Sequence, residues 1–161
     1  MTGRFAKPAV MKDHEQVGGR IFSVGYEGLA VPGLIDHLTW AGVTLLVDVR
    51  LNAVSRRPGF SKGRLSEALA VAGIEYRHER ALGNPPENRA AFRRGDAQGE
   101  VRMREILGNG SQPVLDWLVA EARLRTVAVF CVERGANQCH RRVITDMALE
   151  ADPSLEVIHI L

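Results

Sequence analysis

Cysteine occurs at only two positions, Cys131 and Cys139, and both stand among polar residues able to do chemistry. Glu133 lies just beyond Cys131, and His140 and Arg141 follow Cys139 directly. A thiol near an imidazole and a carboxylate can act as a nucleophile with an acid or base at hand. In this set Cys131 is the candidate nucleophile, Glu133 the candidate acid or base, and His140 the candidate proton donor or phosphate ligand. A second group comes earlier in the chain. Asp48 and Arg50 close an apolar run, and Arg56 and Arg57 lie beyond it. Arginines suit bidentate binding of phosphate or carboxylate, and Asp48 is a further candidate acid or base.

These side chains act together only if the fold gathers them, and the sequence pattern supplies a way. Ile21–Val24 is a short apolar run ending at Gly25. Pro32 opens a helix with Leu34, Ile35, Leu38 and Ala41 on one face, and Gly42 closes it. Val43–Val49 is apolar on both faces apart from Thr44 and Asp48, which suits a central parallel strand. Ser61 is the expected N-cap of a helix through Leu65, Leu69 and Ala72, and Ile74–His78 alternates as a strand nearer an edge. Residues 79–110 have few large apolar residues; the spacing predicts one short helix around Val101–Leu107 in an otherwise long connection of the kind that forms lids or binding loops. A helix opened by Ser111 and Pro113, a buried strand over Thr126–Val132, a helix beginning at Cys139 and a strand over Leu155–Leu161 complete the chain.

Strand and helix alternate, with right-handed crossovers required between parallel strands. The expected fold is Rossmann-like: a three-layer α/β/α sandwich on a mostly parallel five-stranded sheet, with strand order 3-2-1-4-5. Residues 1–19 read as a loose tail and 20–161 as a single α/β domain. Ligands of open parallel sheets bind beyond the carboxyl ends of the strands. Tyr26, Asp48, Arg50, Cys131 and Glu133 all fall there. Asp48 and Arg50, two apart on a strand, share a face and are expected to pair and to sit against Cys131 and Glu133. Cys139, His140 and Arg141 fall at a helix N-terminus, where free amides and the helix dipole favour an anion.

Composition limits the function. The 161 residues carry a net charge of +2, too mild to demand a nucleic-acid partner. Lysine occurs only at Lys7, Lys12 and Lys62, so nearly all of the 21 basic residues are arginine. No apolar run is long enough to span a bilayer, no segment has signal-peptide character, and two cysteines are too few for a disulfide scaffold. A reducing, cytoplasmic setting is expected, with no membrane partner. No P-loop, Gly-x-Gly-x-x-Gly or Ser-His-Asp signature is present. Cys131 sits where cysteine phosphatases and rhodaneses place theirs, at the handover from strand to loop. Their loop carries an arginine six residues on, where this chain has Asn137. Cys131, Cys139 and His140 are zinc-type donors, yet the sequence offers no clear fourth ligand and no Cys-x-x-Cys spacing, so it assigns no metal site.

Several pieces arrive in one order: Val24-Gly25-Tyr26-Glu27-Gly28, Leu46-Val47-Asp48-Val49-Arg50, Ser55-Arg56-Arg57-Pro58-Gly59-Phe60-Ser61-Lys62, Ile74-Glu75-Tyr76, Leu82-Gly83, Cys131-x-Glu133 and Cys139-His140-Arg141. Together they resemble the domain of unknown function 488 family over about residues 20–160. The resemblance implies a compact α/β fold and no established reaction. It points to Tyr26, Asp48, Arg50, Arg57, Cys131, Glu133, Cys139, His140 and Arg141 as the residues of interest.

Three functions follow as expectations. The first is a small enzyme or sensor whose Arg50, Arg57 and Arg141 hold an anionic ligand, a nucleotide or phosphorylated metabolite. The second is a nucleic-acid-binding module using the arginine-rich stretch Arg77–Arg104 as a groove; few aromatic residues are available for stacking against it. The third is a redox or metal site at Cys131 and Cys139. The sequence names neither a cofactor nor an oligomeric state.

Overall fold

Five short runs rich in branched apolar residues become strands β1 (Arg20–Gly25), β2 (Leu45–Asp48), β3 (Glu75–His78), β4 (Val127–Cys131) and β5 (Glu156–Ile160). These come from a computed structural model that describes residues 19–160; the expected tail, apart from Gly19, lies outside the described residues. Helices α1 (Val31–Trp40), α2 (Lys62–Val71), α3 (Pro86–Arg93), α4 (Ala97–Gly108), α5 (Gln112–Leu124) and α6 (Arg141–Ala151) connect them.

All strand pairs are parallel, and the sheet order is β3-β2-β4-β1-β5. The three-layer α/β fold is therefore present, but the expected order 3-2-1-4-5 is not. β4 inserts between β1 and β2, with Leu45 and Ile21 both level with Val127. The most deeply buried strand thus takes the sheet's centre: every residue of β4 is buried, as is every residue of β2. β3, exposed at alternate residues, takes an edge.

The period-two alternation divides two cores. Leu45, Val47, Val49, Val127, Val129 and Cys131 face one side and pack with Met103, Leu107, Leu115, Leu118, Ile144 and Ala148 of α4, α5 and α6. Leu46, Ala128 and Phe130 face the other and pack with Leu34 and Leu38 of α1 and Leu65 and Leu69 of α2.

Two local expectations change. The connection over 79–110 is not one loop with one short helix. It holds two helices, α3 and α4, after a short 3-10 turn at Arg80–Leu82. Phe92 of α3 and Met103 and Leu107 of α4 are buried, and the buried Asn88 amide donates to Asn84 Oδ1 at 3.0 Å and to the Gly99 carbonyl at 3.1 Å. Ser61 stands at the N-cap of α2 but does not cap it. Its hydroxyl accepts the Ser55 N–H at 3.0 Å and donates to the Ser55 carbonyl at 3.2 Å, pinning the loop after β2.

Candidate functional site

Asp48 ends β2 on the α1–α2 face, and burial without a partner would be costly for its carboxylate. The chain meets this locally. Arg50 Nε lies 2.9 Å from Asp48 Oδ1 and Arg50 Nη2 lies 2.6 Å from Oδ2, a bidentate pair with Asp48 0% and Arg50 3% exposed. The Tyr76 hydroxyl donates to Asp48 Oδ2 at 2.6 Å, the Arg50 N–H donates to Oδ1 at 3.1 Å, and Arg50 Nη1 donates to the Phe60 carbonyl at 2.8 Å. The guanidinium lies 5.5 Å from the ring centre of Tyr26 and 5.1 Å from that of Phe130. Burial alone would pull the Arg50 pKa down, but the Asp48 carboxylate outweighs it and holds it above its ordinary value; burial and the same carboxylate push Tyr76 up.

The expected Asp48–Arg50 pair is therefore present; its side chains turn to the core opposite Cys131, while Arg50 is also among the residues that line the cleft holding Cys131 and Glu133. Even-numbered residues of β2 face α1 and α2, whereas Cys131 belongs to the opposite core. The pair is a buried, fully engaged element of the fold. Tyr26 belongs with it. Its ring stacks on Phe60 with centroids 4.4 Å apart and lies 5.2 Å from Phe130, and its hydroxyl donates to Ser55 Oγ at 3.1 Å. Arg56 and Arg57 are exposed in the loop, and Arg57 donates to the Leu29 carbonyl at 2.6 Å. Neither lines the cleft described next.

On the α5–α6 face, beyond the ends of β2 and β4, a cleft of about 260 Å³ gathers Cys131, Glu133, Cys139 and His140. Three of the four are buried, with Cys139 2% exposed. Close approach of the chain builds this floor. The Tyr26 N–H bonds the Cys131 carbonyl at 3.1 Å, and a Cβ on Gly25 would lie 1.7 Å from the Glu133 carbonyl oxygen, so only glycine fits there. The His140 ring is held through Nε2, 2.8 Å from the Val49 carbonyl. A carbonyl only accepts, so the proton sits on Nε2 and Nδ1 is turned to Cys139 Sγ at 3.6 Å. Cys131 Sγ lies 3.6 Å from Glu133 Oε2.

Electrostatics separate the two thiols. Burial opposes a Cys139 thiolate, but the bond from Cys131 and the cationic neighbours His140 and Arg141 outweigh it and carry its pKa well below the ordinary thiol value. Cys131 moves the other way, pushed up by its bond to Cys139 and by burial. Burial, then the Cys139 charge, push Glu133 up. Burial alone would lower His140, yet the Cys139 thiolate raises it. The sequence placed the nucleophile at Cys131; the surroundings favour the thiolate at Cys139. Arg141 is fully buried, bonded through Nε to Ser23 Oγ at 3.0 Å, and among the described residues has no carboxylate partner.

Part of the cleft's lining comes from the connection over residues 79–110. Asn84, Arg89, Phe92 and Arg93 line it, together with Arg50, Leu51, Asn52 and Val54 of the segment after β2. The sequence pattern offers Arg89 and Arg93 only as part of a nucleic-acid groove over Arg77–Arg104, and does not join them to the cysteine site. The available signal was the helical spacing of Asn88, Phe92 and Arg89, Arg93, which gives α3 one buried stripe and one basic stripe.

A parallel sheet covered on both faces defines this as a three-layer α/β protein, with a two-thiol cleft beyond the ends of its central strands as the candidate site. The sequence profile of the family described as domain of unknown function DUF488 matches residues 31–148, and the chain belongs to that family. No curated protein and no solved structure matches the chain. No helix among the described residues is long and apolar enough to cross a membrane.

Proposed function

We propose that the chain is an enzyme acting on a small anionic metabolite, a nucleotide or phosphorylated compound, bound in the cleft over Cys131, Glu133, Cys139 and His140. The observation that carries this reading is the pairing of that reactive floor with two arginines on the wall, Arg89 and Arg93, which among the described residues have no carboxylate partner. A guanidinium left unpaired beside a cavity suits a phosphate or carboxylate. The volume suits a single small ligand.

The arginine-rich stretch supports the small ligand over a nucleic acid. Arg77 pairs with Glu79, Arg94 with Asp96, Arg102 with Glu87, and Arg104 with Glu100 and Glu150. These pairs neutralise four arginines of the stretch and leave Arg89 and Arg93 beside the cleft, whereas a nucleic-acid groove needs a longer row of free cations.

The test is a thermal-shift screen of nucleotides, phosphosugars and inorganic phosphate. A ligand at 100 times its Kd stabilises by about 2.7 kcal/mol, which raises Tm by roughly 5–10 °C in a domain of this size. Arg89→Ala/Arg93→Ala should abolish the shift. A screen in which no anionic ligand raises Tm, or a shift that survives loss of both arginines, refutes the reading.

A further inference from the structure

The four polar residues of the cleft floor have a geometry that the anionic-ligand reading does not require. Cys131 Sγ, Cys139 Sγ and His140 Nδ1 lie within 4.8 Å of one another, and all three residues are buried. Cys139 Sγ to His140 Nδ1 is 3.6 Å, and Cys131 Sγ to Glu133 Oε2 is 3.6 Å. A tetrahedral zinc ion, with Zn–S near 2.3 Å and Zn–N near 2.0 Å, separates its donors by about 3.5–3.8 Å. Two donor pairs already stand at that separation. Glu133 stands outside that group of three, but its Oε2, 3.6 Å from Cys131 Sγ, is within reach of the fourth position by a side-chain rotation.

Two further observations point the same way. A metal-bound imidazole is fixed by donating its other ring N–H to a carboxylate or carbonyl, and His140 does this through Nε2 to Val49. The charges also balance. Arg141, next in the chain to His140, is a fully buried cation with no carboxylate partner among the described residues, and its Nη1 has no hydrogen-bond partner. Two thiolates and a carboxylate around a divalent cation carry one net negative charge, which matches it.

We infer that Cys131, Cys139, His140 and Glu133 form a binding site for a thiophilic divalent cation of the zinc type. The site opens on the cleft, so Glu133 is the ligand a substrate or water would displace. The ion would present a Lewis acid to an anion held by Arg89 and Arg93. The inference concerns the floor alone and holds whichever anion the cleft takes.

The experiment uses the full chain, purified without chelator. Elemental analysis should find about one zinc per chain, and titration of metal-free protein with Co²⁺ should give thiolate-to-metal charge-transfer absorption with strong tetrahedral visible bands. Cys139→Ser and Cys131→Ser should each remove the charge-transfer intensity in proportion to the thiolates lost. Should either variant fail to fold, alkylation of the natural protein decides: zinc should protect both thiols. Failure of Co²⁺ to bind, binding without thiolate charge transfer, or thiols equally reactive with and without zinc overturns the inference. So does a Cys131–Cys139 disulfide in metal-free protein that excludes Co²⁺. These outcomes are separate from the ligand screen. An Arg89-dependent Tm shift in a protein that fails to bind Co²⁺ or zinc overturns the metal site alone, and metal binding with no such shift overturns the ligand reading alone.

Discussion

Replacing Asp48 by alanine should bring this protein close to unfolding. The carboxylate is completely buried and is the anionic partner of a guanidinium that is itself 3% exposed. Removing one member of a buried pair leaves an uncompensated charge, which typically destabilises by about 3–5 kcal/mol. The Tyr76 hydroxyl loses its acceptor as well, adding about 1 kcal/mol. A loss of about 4–6 kcal/mol compares with a total stability of roughly 5–15 kcal/mol for a natural domain. Urea unfolding followed by circular dichroism should show the loss, and thermal melting should show Tm falling by about 10–20 °C. The companion variant separates desolvation from general damage. Asp48→Leu with Arg50→Met removes both charges and keeps the volume, so it should recover most of the loss, short of the bonds that Asp48 accepts from the Tyr76 hydroxyl and the Arg50 N–H and the bond from Arg50 to the Phe60 carbonyl. A loss under about 1.5 kcal/mol for Asp48→Ala, or a double variant no more stable than the single one, would refute this account of the pair.

Gly25→Ala should destabilise by about 1–3 kcal/mol as overpacking, because its new methyl would stand 1.7 Å from the Glu133 carbonyl oxygen and 2.6 Å from Arg141 Nη1; unchanged urea unfolding would contradict that approach. Arg57→Ala should leave stability within about 0.5 kcal/mol, as an exposed substitution does, and should also leave the cleft-ligand Tm shift intact, in contrast to the Arg89 and Arg93 variant.

What could be read from the sequence follows from how far each signal reaches along the chain. Strand runs such as Val127–Cys131 and helix stripes such as Leu34 and Leu38 are local, and they gave the fold class. Strand order depends on which strands meet across the sheet. Nothing in β1 or β4 alone states that β4 lies between β1 and β2, so the order was misassigned. The same limit explains the site. The spacing of Asp48 and Arg50 revealed their pairing, because residues two apart on a strand share a face. That their side chains turn away from the Cys131 core depended on the parity of β4 relative to β2, set by the register of Asp48 with Phe130. The sequence does not join Arg89 and Arg93 to the cysteine cleft, because α3 lacks the large apolar stripe that announces a helix: apart from Phe92, its buried residue is Asn88, satisfied by Asn84 and Gly99.

The two halves of the motif set, separated by the sheet, meet in the backbone at the end of β2. Val49 donates its N–H to the Phe130 carbonyl at 3.0 Å, and its own carbonyl accepts His140 Nε2 at 2.8 Å. Asp48 on one side of Val49 accepts the N–H of Arg50 on the other. The next carbonyl, that of Arg50, accepts His78 Nε2 at 2.8 Å. A buried ion pair therefore fixes the one peptide whose oxygen selects the His140 tautomer, and that tautomer turns Nδ1 toward the thiols. A loop peptide free to rotate would let the imidazole exchange its donor and acceptor nitrogens, and the cleft floor would lose its lone pair for a thiol proton or a metal ion. The Asp48 carboxylate thus holds, through the Arg50 N–H, the same peptide whose carbonyl orients the His140 ring beside Cys139.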